Sequence, residues 1–265
     1  MYEKYWGMNK LPFENVPDPD CVFLSSKHDE ALMRLLYATK SQKGAAMLTG
    51  EIGCGKTTIS RLFIQGLSSD EYEVGLIANP MLAPSDFLKE ILYQLGCDKT
   101  ANGKSDLLRI INEQMMKNLQ QKKKTVLIVD EAQAIEDVNT FEELRLLLNF
   151  QLNDRFLLTL ILIGQPELKE KVAAIKQLQS RIAISYHLRP LDIQDTARYI
   201  IFRLKKVGAK SVMFTEDAVK KIFEHTTGVP RRINNICDLC LLVGYSAQAK
   251  VVDSKLVEKV IKDAV

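Results

Sequence analysis

The chain has 265 residues, with 36 Lys or Arg against 33 Asp or Glu, for a net charge of +3. A composition of 46% hydrophobic and 26% charged residues excludes a disordered chain, and so small a net charge does not mark a polyanion-binding protein. Five cysteines at scattered spacing argue against a disulfide framework and suit a reducing cytosol. No apolar run reaches the ~18–20 residues of a membrane span, and the first residues lack the apolar core of a signal peptide.

In chain order, residues 1–24 are rich in aromatic residues and proline (Trp6, Pro12, Phe13, Pro17, Pro19, Phe23) and read as an irregular lead-in packed on the core. Ser26-x-x-Asp29 reads as a capping box that opens an amphipathic helix through Leu32, Leu35, Leu36 and Ala38. Residues 45–49 form a buried strand that runs into a glycine-rich loop. The next helix carries Ile59, Leu62, Phe63 and Leu67 on one face. Further strands are expected at 74–78, 125–129, 157–163 and 182–188, and helices at about 85–95, 107–119 and 141–150. The strands are continuous apolar runs that alternate with helices, which predicts a parallel sheet covered on both faces. After Pro190 the strands stop, and 192–207, 215–225, 230–248 and 253–265 all read as helices. The expectation is an α/β core over 1–190 and a small all-helical domain over 191–265. From Leu191 onward 13 basic residues stand against 9 acidic ones; elsewhere the counts are 23 and 24. That basic C-terminal quarter permits contact with phosphate backbones or acidic partners without requiring it. Cys237-x-x-Cys240 reads as two small apolar residues one helical step apart rather than as a zinc site.

The loop Gly50-Glu51-Ile52-Gly53-Cys54-Gly55-Lys56-Thr57, followed by Thr58, matches the full phosphate-loop pattern between a strand and a helix. Its glycines let the backbone curl so that N–H groups face phosphate oxygens, and the helix adds the positive end of its dipole. Lys56 is a point charge for the β- and γ-phosphates, and the Thr57 hydroxyl is placed to ligate Mg²⁺. A dinucleotide fingerprint is excluded, because Thr58 stands where its third glycine belongs. Downstream, the apolar run 126–129 ends in Asp130-Glu131. Asp130 is the expected second holder of Mg²⁺, and Glu131 the group that orients and deprotonates an attacking water. The adjacent Glu points to hydrolysis rather than to a small-molecule kinase.

These two motifs, with Asp130-Glu131-Ala132-Gln133 and the helical C-terminal part, resemble AAA+ ATPases. The chain is most similar to the ExeA/GspA group of secretion ATPases and to the related TniB/TnsC transposition ATPases. Three further stretches carry that likeness: residues 5–13 with Pro17-Asp18-Pro19, residues 161–168, and residues 227–234. The resemblance implies ATP and Mg²⁺ as ligands, a helical lid, and assembly into a homo-oligomeric ring or filament. It implies sensor 1 at Gln165, where the family more usually has Asn, Ser or Thr. It also implies an arginine finger at Arg181, sensor 2 at Arg231 with Arg232 as the second candidate, and a glutamate switch at Asn79. By the same resemblance the protein is cytoplasmic, or held peripherally at the inner membrane by a partner. It would drive assembly or remodelling of a secretion or pilus apparatus. The alternative is an ATP-dependent DNA-binding regulator of transposition.

Overall fold

The computed structural model describes residues 1–15 and 22–263; Pro17, Asp18 and Pro19 lie outside them. The chain divides into two compact units. One comprises residues 27–50 and 56–188, the other residues 1–26, 51–55 and 189–265.

The first unit alternates strand and helix. It runs α1 (Ser26–Lys40), β1 (Ala45–Gly50), α2 (Lys56–Gln65), β2 (Tyr72–Ile77), α3 (Pro84–Gln94), α4 (Lys104–Gln120), β3 (Lys124–Val129), α5 (Val138–Leu147), β4 (Leu158–Gly164), α6 (Glu167–Ala174), α7 (Lys176–Gln179) and β5 (Ile182–Leu188). The five strands form one sheet in the order β2-β3-β4-β1-β5, with every pairing parallel. All six residues of β1 and all seven of β4 are buried, as expected of strands covered on both faces. β5, at the edge, alternates half-buried and exposed residues instead. α3, α4 and α5 pack Phe87, Ile91, Ile111, Met115 and Leu144 into a core shared with β3 and β4.

Sequence periodicity finds the five strands and the longer helices within a few residues. It misses α6, α7 and a 3-10 turn at Ala132–Ala134, because eight, four and three residues are too few to show a period. On α1 the buried stripe is His28, Ala31, Leu35 and Ala38, with Leu32 and Leu36 only half-buried. The helix is rotated from the expected face by about one position around Leu35. It begins at Ser26, so Ser26 is its first residue rather than its cap.

The second unit holds α8 (Ile193–Lys206), α9 (Glu216–Thr226), α10 (Pro230–Ser246) and α11 (Ser254–Asp263). Asp192 and Thr215 cap α8 and α9, accepting from the N–H groups of Asp195 at 2.9 Å and Ala218 at 3.2 Å. The lead-in, expected against the α/β core, packs within this helical unit. The Trp6 indole N–H donates to the Leu241 carbonyl at 3.0 Å. A Cβ on Gly244 would come within 2.9 Å of the Trp6 ring, so α10 accepts the indole only with glycine there. Phe13 meets Phe214 edge to face at 6.2 Å. Arg203 donates to the carbonyls of Pro12 at 2.6 Å and Glu14 at 2.8 Å. Cys237 and Cys240 are buried in the same core, where burial raises both thiols, that of Cys240 to about 12.

Candidate active site

In a parallel sheet, ligands collect beyond the carboxyl ends of the strands, where the strand order reverses. Here that place lies beyond β1, β4 and β3. Thr49 pairs with Gly164, and Val129 with Leu162, so Gly50, Gln165 and Asp130 follow from neighbouring strand ends.

The Lys56 ammonium is buried, 6% exposed, and donates to the Gly50 carbonyl at 2.7 Å. It opens α2, whose first N–H groups are without helical partners. Thr57 lies on the first turn, and its hydroxyl favours the charged form of the Asp130 carboxylate, so the two residues expected to hold Mg²⁺ are neighbours. Asp130 is buried at the end of β3, 7% exposed, and accepts from the Glu131 N–H at 2.9 Å. Burial raises its carboxyl above the ordinary value, and the Glu131 charge adds to that. The Glu131 N–H, Lys56 and Thr57 act in the opposite direction. A buried carboxylate held against its own desolvation, near a hydroxyl and an ammonium, is a donor set suited to a divalent cation and a polyphosphate.

A stability consequence follows from this burial. A carboxyl whose folded value is raised stabilises fully below its ordinary value of 3.8. That contribution is lost as pH rises through the raised value. At neutral pH the ligand-free fold therefore carries a strained charge. Asp130→Asn should raise the Tm of the ligand-free chain at pH 7, with the gap narrowing as pH falls toward the ordinary carboxyl value of 3.8. Thermal melts of both chains across a pH series from 7 downward test this; an unchanged or lowered Tm at pH 7 contradicts it.

Glu131 has a left-handed backbone, φ +49°, an uncommon conformation for a residue with a side chain and one that gathers at functional positions. Two residues after β3 ends at Val129, Glu131 leads straight into the 3-10 segment beginning at buried Ala132. The Glu131 carboxylate accepts from the Gln133 side-chain amide at 2.5 Å. Gln165 follows β4, and its backbone N–H donates to Gln133 Oε1 at 3.0 Å. Asn79 does not take this part. Its side-chain oxygen accepts from the Met81 N–H at 3.4 Å, closing a local turn. Arg181, which opens β5, donates to the Leu148 carbonyl and to Asn149 Oδ1, both at 3.0 Å, and caps the carboxyl end of α5.

In the helical unit, Gly53 (φ +84°) and Gly55 (φ +99°) supply the curl of the phosphate loop. The Arg231 N–H, in the first turn of α10, donates to the Gly53 carbonyl at 3.3 Å. A Cβ on Gly53 would lie 2.7 Å from the Arg231 Cβ, so Arg231 rather than Arg232 abuts the loop. Sequence reasoning gave no role to Gln133, although it stands in the acidic motif. It missed Lys171 altogether, since that residue lies on the unforeseen α6.

A sheet of this order, with a phosphate-cradling loop after β1 and a buried acidic pair after β3, defines a P-loop nucleotide-binding fold. Residues 39–172 match the AAA domain family, and the chain belongs to it. Over 250 residues it is 39% identical to General secretion pathway protein A of Aeromonas hydrophila, an alignment covering 93% of this chain and 45% of the relative. The chain thus spans less than half the length of that relative. Among solved structures it is similar to the Aeropyrum pernix ORC2 protein in its ADPNP–ADP complexes. The TM-score is 0.68 and the identity 17%, over 96% of this chain and 71% of that one. Drosophila ORC bound to DNA superposes at a TM-score of 0.70, with 17% identity over 94% and 63%. At such identities these two share the fold. No helix among the described residues is long and apolar enough to cross a membrane.

Proposed function

We propose that the chain binds ATP with Mg²⁺ and hydrolyses it. Lys56 and the loop N–H groups hold the triphosphate, and Thr57 and Asp130 hold the metal. Glu131 accepts the proton of the attacking water, and Gln165 helps place that water. Arg231 reads the γ-phosphate from the same subunit, a role favoured by its seat on Gly53. The observation that carries the reading is the convergence of buried Lys56 and buried Asp130, with exposed Thr57 beside Lys56 and left-handed Glu131 one residue beyond Asp130. When bound, the metal neutralises phosphate charge. The protein groups orient and deprotonate.

Subunits assemble so that Arg181 completes a neighbour's site, and the energy released drives assembly or remodelling of a partner complex. The likeness to General secretion pathway protein A favours a secretion apparatus as that partner. A DNA-directed transposition role gains no comparable support, because the DNA-bound neighbour shares only the fold.

The test is Lys56→Met, which keeps the stem and removes the charge. Truncating one partner of a buried charge pair costs about 2–5 kcal/mol, so ATP affinity should fall by roughly 30-fold to several thousand-fold. Titration of a fluorescent ATP analogue reads this directly. Affinity within about threefold of the unaltered chain would remove the phosphate-loop assignment.

A further inference from the structure

A water-activating glutamate needs a fixed direction, and one neighbouring side chain supplies it. Gln133 makes two opposed hydrogen bonds through a single planar amide. Its Nε2 donates to Glu131 Oε2 at 2.5 Å, and its Oε1 accepts from the Gln165 N–H at 3.0 Å. The orientation of the amide is fixed by chemistry, since an ionised carboxylate only accepts and a backbone N–H only donates. The backbone beneath is held too. Lys171 Nζ donates to the carbonyls of Gln133 at 2.6 Å and Ile135 at 2.8 Å, pinning the 3-10 turn to α6. Gly164 leaves room for the arrangement, because a Cβ there would meet Gln133 Oε1 at 2.6 Å.

We propose that Gln133 is a positioning residue that holds the Glu131 carboxylate in its working direction and ties it to the strand end bearing Gln165. The inference rests on the hydrolytic reading above. Only a primary amide of this length meets both demands. A carboxylate in its place cannot donate to Glu131, and an apolar chain can neither donate nor accept. A water-activating base displaced by about 1 Å loses on the order of 10²-fold in rate, while ground-state binding of the nucleotide, made elsewhere, is untouched.

Two substitutions isolate the contact. Gln133→Met keeps length and removes both hydrogen bonds. Gln133→Glu keeps the acceptor for Gln165 and loses the donor toward Glu131. Both should lower kcat for ATP by about 10–100-fold with KM and nucleotide affinity within about twofold, which also reports that the loop is folded. In a Glu131→Gln background the same substitutions should add no further loss, because residues acting through one another are not additive. Turnover by Gln133→Glu equal to that of the unaltered chain, or an independent loss in the Glu131→Gln background, overturns the proposal alone. Absence of turnover in the unaltered chain, despite bound ATP, overturns the hydrolytic reading and this proposal with it.

Discussion

Glu131→Gln should bind ATP as the unaltered chain does and turn it over about 10²–10⁴-fold more slowly. The substitution replaces a proton acceptor by an amide of the same shape. Glu131 is half-buried, on a left-handed backbone, one residue beyond buried Asp130. The Asp130 carboxylate is buried and accepts from the Glu131 N–H, so it is poorly placed to act as the base itself. Only the general-base contribution is lost, and phosphate release under single-turnover conditions measures it. Turnover within about threefold of the unaltered chain would assign the proton to another group.

Arg181→Ala should reduce turnover by about 10³–10⁵-fold in assembled protein, the magnitude associated with an arginine that meets charge developing on the transferred phosphoryl group. Within its own chain Arg181 caps the end of α5 through Leu148 and Asn149, and stands 6.0 Å over the Phe156 ring. A finger that serves a neighbour must exchange those bonds for phosphate oxygens on assembly. Mixing separates the two roles. Arg181→Ala subunits bind nucleotide and lack the finger, and Lys56→Met subunits carry the finger and lack the nucleotide. If the finger acts between subunits, the mixture regains turnover that neither variant shows alone. A mixture no more active than its parts makes Arg181 a structural cap of α5 and nothing more.

The central architecture was legible because its causes are local. Three buried strands advertise themselves as unbroken apolar runs, and the phosphate loop and acidic pair are contiguous in sequence. What stayed hidden depends on partners far apart in the chain. Gln133 meets Gln165 across 32 positions, and Lys171 meets Gln133 across 38. A glutamine beside a motif acid carries no sign of which group it will hold. Trp6 and Phe13 announce that they will be buried but not where. Their destination was set by the gap at Gly244 and by the apolar faces of α8 and α10 far downstream; Trp6 meets Leu241 across 235 positions.

A triphosphate held by Lys56, with its metal at Thr57 and Asp130, underlies every step of the proposed hydrolysis. Calorimetric titration of ATP into the unaltered chain, with Mg²⁺ and then with a chelator, measures that claim. Binding with Mg²⁺ that weakens on chelation, and that Lys56→Met weakens by roughly 30-fold or more, is the predicted result. No detectable binding of ATP with Mg²⁺ to the folded chain would contradict it.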